Sequence, residues 1–116
     1  CVTGDGGYMM TVHALSTAMQ YQVPILCVVF NDNALGMVRH HQPAGRHIAS
    51  EFVPTDNAAV ARGFGACGVQ VNDSRDLPDA IRQAQASGLP AVVDVIIDRG
   101  PSPDDFRADA RRAGET

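Results

Sequence analysis

The chain is expected to fold as an α/β domain, a parallel sheet with helices on both faces, and three observations lead there. Ile25 to Phe30 and Ala91 to Ile97 are continuous apolar runs rich in β-branched residues, the pattern of strands covered on both sides. Between these runs lie stretches whose apolar residues recur at helical spacing. Clusters of glycine, proline, asparagine and aspartate separate the two kinds of segment. Strands that alternate with helices pair in parallel through crossover connections. No internal repeat is present.

Taken in order, Cys1 to Thr3 read as the tail of a buried strand. Gly4-Asp5-Gly6-Gly7 follows as a loop that side chains with a Cβ would make with difficulty. From Met10 to Tyr21, the residues Met10, Ala14, Leu15, Ala18 and Met19 fall on one helical face, and Pro24 stops the helix. Ile25 to Phe30 is a strand, and Asn31-Asp32-Asn33 breaks it. A short helix is expected over Met37 to Gln42, then a polar, aperiodic surface loop from Pro43 to Pro54. A further helix runs from about Asp56 to Phe64, with Ala61 and Phe64 facing in and Gly65 ending it. Val69 to Val71 form a short strand. Asp76 is placed to cap the next helix, with Pro78 in its first turn. Leu77, Ala80, Ile81 and Ala84 give that helix an i, i+3, i+4, i+7 stripe, and Gly88 with Pro90 closes it. Ala91 to Ile97 is the last strand. The domain thus spans 1–100, and 101–116, poor in apolar residues, is expected to be a mobile tail. The opening Cys-Val-Thr runs straight into the glycine loop, so the domain reads as N-terminally truncated, with upstream strands and partner domains missing.

Composition narrows the function. The chain has 116 residues, 45% hydrophobic and 19% charged, with a net charge of −4 at pH 7. That is room for one domain. The acidic balance and the absence of a Lys/Arg cluster argue against nucleic acid as a partner. The longest apolar stretch, Val23 to Phe30, is too short to cross a bilayer, so no membrane partner is expected. Cys1, Cys27 and Cys67 form no C-x-x-C pair, which leaves no readable zinc or redox motif and fits a cytoplasmic setting. Cys27, inside an apolar run, is expected to be a small buried hydrophobe. Met9, Met10 and Met19 read as core filler. His13 reads as packing or solvent-facing, His40 and His41 as surface residues, and His47 has no evident partner.

Two carboxylates stand at informative places. Asp5 follows the first strand and Asp32 the second, 27 positions later, with one helix between. In a strand–helix–parallel strand unit both strands end on the same sheet edge, where ligands of open α/β sheets bind. A glycine loop and the amides opening the next helix suit a phosphate. Yet Asp5 within that loop would repel a bare pyrophosphate, by roughly 4 kcal/mol per charge pair at about 4 Å and an effective dielectric of about 20. A divalent cation between them reverses the sign, and magnesium commonly joins one or two carboxylates to phosphates. Taken singly, Gly-Asp-Gly and Asn-Asp-Asn are more often plain turns. Their joint placement at successive strand ends favours a site.

The segment GDGGYMMTVHALSTAMQYQVPILCVVFNDNALGMVR resembles the thiamine-diphosphate signature of the acetolactate synthase, pyruvate oxidase and benzoylformate decarboxylase superfamily, and the resemblance extends from Cys1 to about Asp98. It implies a truncated, pyrophosphate-type thiamine-diphosphate-binding domain with Mg2+ held by Asp5, Asp32 and the backbone carbonyl of Ala34. Gly4, Gly6 and Gly7 would lie against the diphosphate, with Leu35, Gly36 and Met37 lining the cofactor. Three positions depart from the pattern. Asp32 replaces the usual asparagine, a change magnesium accepts readily. Ala14 replaces a glutamate. His41 stands where biosynthetic acetohydroxyacid synthases carry a tryptophan that shapes the substrate pocket, which separates this chain from them.

The resemblance further implies a lyase or transferase acting on a 2-keto acid by decarboxylation or carboligation, with the chemistry supplied by the cofactor. The glutamate that activates the cofactor's aminopyrimidine would come from a pyrimidine-binding domain of the same or a second subunit, within a homodimer or homotetramer. No catalytic residue is assigned to this chain, and the isolated piece is expected to be inactive. Two other readings compete. One is a dinucleotide-binding domain, since Gly4-Asp5-Gly6 opens like its fingerprint and Asp32 stands near the ribose position, although Met9 occupies the place of the third glycine. The other is an inactive remnant of a larger enzyme.

Overall fold

Four parallel strands form one sheet in the order β1-β2-β4-β3, where β1 is Val2–Gly4, β2 Leu26–Asn31, β3 Cys67–Val71 and β4 Ala91–Ile96. The computed structural model describes residues 1–43 and 45–100, and the tail expected over 101–116 lies outside them. Among the described residues five α-helices accompany the strands: α1 Asp5–Thr11, α2 Ala14–Gln20, α3 Gly36–His41, α4 Asn57–Gly63 and α5 Leu77–Ala86. No helix among the described residues is long and apolar enough to cross a membrane.

The register divides the side chains between two cores. Cys27, Val29 and Val92 face one way and pack with Tyr8, Leu15, Ala61 and Ala66, under α1, α2 and α4. Val71, Ala91, Val93 and Val95 face the other way, against Ala80 and Ala84 of α5. Helices therefore cover both faces, as the apolar runs imply. β4, central and paired on both sides, is buried from Ala91 to Val95. Where α4 crosses β3 the backbones almost touch: a Cβ on Gly68 would lie 2.1 Å from the Ala58 carbonyl oxygen, so glycine is required there.

Several expectations are corrected. β1 is not buried: it is an edge strand, and Val2 is 68% exposed because no described element lies over it. β2 is covered fully on one face only, and Phe30 is half-exposed on the other. The helix expected over Met10 to Tyr21 is two helices. The chain keeps helical dihedrals through Val12 and His13 but changes hydrogen-bond register there, with Leu15 and Ser16 amides reaching back three residues. Met9 and Met10 are exposed on α1, while Met19 packs against the core. Phe64 stands partly exposed at the end of α4 rather than facing in. Asp76 makes no capping bond. Asp73 instead accepts from the Arg75 amide and caps the 3-10 turn Ser74–Asp76 that leads into α5. Asp56 caps α4 by accepting from the Ala59 amide at 2.7 Å.

Candidate functional site

β1 and β2 pair in parallel with Gly4 opposite Phe30, so their carboxyl tips lie side by side. Asp5 does not sit in a loop. It is the first residue of α1, with Gly4 as the extended N-cap residue. Its carboxylate is almost fully buried, accepting from the Gly6 amide at 2.8 Å and from the Ala34 amide at 3.2 Å. Asp32 follows β2, and its Oδ1 accepts from the same Ala34 amide at 3.1 Å. One N–H is therefore shared by two acidic side chains, which bounds the separation of those two oxygens at about 6.3 Å. Burial first, then repulsion from Asp32, raise the Asp5 pKa above its usual carboxylate range, against the opposing pull of the Gly6 and Ala34 amides. A cation placed between the two would remove the cause of that repulsion.

All nine residues singled out in the sequence surround one cavity of about 340 Å³: Gly4, Asp5, Gly6, Gly7, Asp32, Ala34, Leu35, Gly36 and Met37. Gly6 packs against Leu35 so closely that a Cβ would fall 2.5 Å from Leu35 Cδ2. A Cβ on Gly36 would come to 3.1 Å from Asp32 Oδ2, and one on Gly7 to 2.7 Å from Thr3 Oγ1. Gly6 and Gly36 let α1, the Asp32–Leu35 turn and α3 close on one another, and Gly7 lets α1 fold back against β1. Phe30, Val38 and Ile97 complete the lining with exposed apolar surface. The sequence does not single these three out, because Phe30 and Ile97 read there as core strand residues.

The Asp32–Ala34 turn is held from several sides. Asn33 adopts φ 55°, a left-handed conformation that asparagine tolerates better than most residues. Its amide donates to Asn31 Oδ1 at 3.1 Å, its side-chain oxygen accepts from the Thr55 amide at 3.1 Å, and its carbonyl accepts from the Phe52 amide at 2.8 Å. Arg99 donates from Nε to the Asp32 carbonyl at 2.9 Å and from Nη2 to the Asn33 carbonyl at 3.0 Å. Its remaining nitrogen pairs with Glu51, whose pKa the Arg39 hydrogen bond chiefly holds below the usual range. Among the described residues, no hydrogen bond of the turns and loops ends on the Ala34 carbonyl. That oxygen is left to a ligand or solvent.

No histidine is among the residues that line the cavity. His13 is exposed, and His41 is exposed with Nδ1 at 2.7 Å from the Met37 carbonyl. His47, for which no partner was evident, lies 3.6 Å from Glu51. The three cysteines are free, and Cys27 is buried as expected.

The family model described as "Thiamine pyrophosphate enzyme, C-terminal TPP binding domain" matches residues 1–95. The acetolactate synthase isozyme 3 large subunit of Escherichia coli (strain K12) is 37% identical over 107 residues, covering 84% of this chain and 18% of that protein. An acetolactate synthase of Bacillus subtilis (strain 168) is 34% identical over 99 residues, covering 84% and 17%. Among solved structures, the thiamine diphosphate-dependent 4-hydroxybenzoylformate decarboxylase of Rhodococcus jostii RHA1 superposes with a TM-score of 0.79 at 25% identity, covering 87% of this chain and 20% of that one. The chain thus spans about a fifth of the length of the relatives it matches.

Proposed function

Since the chain belongs to the thiamine pyrophosphate enzyme family, as a C-terminal TPP binding domain, we propose that it grips the diphosphate of thiamine diphosphate through Mg2+ at the β1 and β2 tips. The observation that carries this reading is the convergence of Asp5 and Asp32 on the single Ala34 amide. Asp5, Asp32 and the Ala34 carbonyl would supply three hard oxygen ligands, a set that magnesium accepts alongside phosphate oxygens and water. Gly4, Gly6 and Gly7 would face the diphosphate, while Leu35, Gly36 and Met37 would line the organic part of the cofactor. Asp5, already desolvated, gains from a cation, because the Gly6 and Ala34 amides offset its burial only in part.

The parent enzyme would act on a 2-keto acid as a decarboxylase or carboligase resembling acetolactate synthase. When bound, thiamine diphosphate supplies the nucleophile and the electron sink of that reaction. The residues here bind and orient it. They do not reach the reacting carbon in any assigned role. A pyrimidine-binding domain of the same or a second subunit, in a homodimer or homotetramer, would complete the site. The free cysteines fit a cytoplasmic setting.

Calorimetric titration of the chain with thiamine diphosphate should give heat only when Mg2+ is present. Asp5→Asn should weaken that binding by about tenfold or more, the usual cost of a lost charge-assisted contact of about 1.5–3 kcal/mol. Equal affinity with and without metal, or binding of NAD in its place, would sink the proposal.

A further inference from the structure

β4 is an apolar strand with one acid in it, and that acid lies wholly out of solvent: Asp94 is 0% exposed. It touches nothing in the cofactor cavity. Its carboxylate is met only by N–H groups. Asn31 Nδ2 donates to Oδ1 at 3.1 Å and Oδ2 at 3.3 Å, the Asn57 amide donates to Oδ2 at 3.0 Å, and Asn57 Nδ2 donates to Oδ1 at 3.2 Å. A carboxylate offers acceptors alone, so it fixes which way the Asn31 amide group must face.

The consequence passes up the chain to the site. Asn31 Nδ2 is committed to Asp94 and to the Thr55 carbonyl at 3.0 Å. Its Oδ1 is thereby turned towards the Asn33 amide, which it receives at 3.1 Å. Asn33, in its left-handed conformation, sets the next amide, that of Ala34, on which Asp5 and Asp32 converge. The Asn57 amide bond also ties the start of α4 to the same carboxylate.

We infer that Asp94 is a positioning residue: by dictating the orientation of the Asn31 side chain, it aims the Asp32–Ala34 turn at the metal. The inference rests on the cofactor reading for its purpose and on the hydrogen-bond chain for its mechanism. The two are separable by experiment.

In Asp94→Asn one acceptor becomes an NH2 facing other donors. The Asn57 backbone amide keeps the remaining oxygen at the Oδ2 position, so the NH2 takes the Oδ1 position. Asn57 can turn its unpartnered Oδ1 to it, but Asn31 cannot follow, because a flip would lose the Thr55 carbonyl and set its NH2 against the Asn33 amide, so Asn31 must draw back. Amide hydrogen exchange on the cofactor-free chain should then be about tenfold faster at Asn33 and Ala34, with β3 and α5 unchanged. Affinity for Mg2+ with thiamine diphosphate should fall about 10–100-fold, as for other groups that orient metal ligands. The charge-swapped pair Asp94→Asn with Asn31→Asp gives the new NH2 an acceptor while an oxygen of residue 31 still receives the Asn33 amide, and should recover part of the lost protection. Asn31→Asp alone sets two carboxylates face to face and should loosen the same turn.

Val93→Ala, a cavity on the same strand facing away from this network, supplies the control for mere destabilisation. If it speeds exchange at Asn33 and Ala34 as much as Asp94→Asn at matched melting temperature, the inference fails. It fails also if Asp94→Asn leaves those amides protected, or if the swap recovers nothing. Should Asp94→Asn not fold, the comparison of Asn31→Asp with the double variant decides, and the double must be the better protected. If exchange responds as expected but the unaltered chain binds no magnesium and thiamine diphosphate, the positioning stands and the cofactor reading falls.

Discussion

At the scale of single residues, two buried groups stand in conditions that solvent would normally relieve. Among the described residues the Tyr8 hydroxyl has no hydrogen-bond partner, and burial pushes its pKa up to about 12. An unsatisfied buried hydroxyl costs about 1–3 kcal/mol. Tyr8→Phe should therefore raise stability in urea denaturation, by about 1 kcal/mol or more, and a lower midpoint would show that the hydroxyl has a partner in solution. Asp5 has a raised pKa from burial and from Asp32. An acid raised in the folded state binds its proton more tightly there than unfolded. Its stabilising contribution is complete below the unfolded value near 3.8 and is lost as pH climbs through the raised one. The stability of Asp5→Asn relative to the metal-free original should consequently improve from pH 4 towards neutrality. A difference that stays constant, or that shifts against Asp5→Asn as pH rises, would contradict the shift.

At the scale of elements, what the sequence could and could not reveal has local causes. β2, β4 and α5 were legible because their apolar patterns are long and their stops, Pro24, Asn31-Asp32-Asn33 and Gly88, are strong. α1 was not, because glycines at positions 6 and 7 are poor helix formers and read as loop. What makes them helical is tertiary: Asp5 holds the Gly6 amide, and Leu35 and Phe52 press on Gly6. The break before α2 carries no proline or glycine. Thr11 lies just ahead of it, its hydroxyl donating to the Gly7 and Tyr8 carbonyls, a local bond that bends helices. The Asp5 and Asp32 pairing was readable from strand ends, whereas the Asn31, Asn57 and Asp94 network joins segments far apart in the chain and left only one clue, an acid inside an apolar run. The contact between α4 and β3 yields its own test. Gly68→Ala should destabilise by about 1–3 kcal/mol, since backbone rather than a flexible side chain stands in the way. An unchanged melting curve would mean that α4 shifts freely.

For the molecule as a whole, ligand binding and folding should be coupled. A site built from the ends of two strands and the starts of two helices does not exist in the unfolded chain. Saturation at about a hundredfold above the dissociation constant should thus stabilise by about 2.7 kcal/mol. Thermal denaturation with thiamine diphosphate, with and without Mg2+, measures this, and a melting temperature indifferent to both would refute it. Among the described residues, β1 lies at the edge of the sheet that carries the site, with no strand paired on its outer side and Val2 bare. Such a rim is adhesive, accepting any extended peptide laid along it. Because Gly4 at the tip of that strand also borders the cavity, whatever settles on the rim becomes the next wall of the cleft.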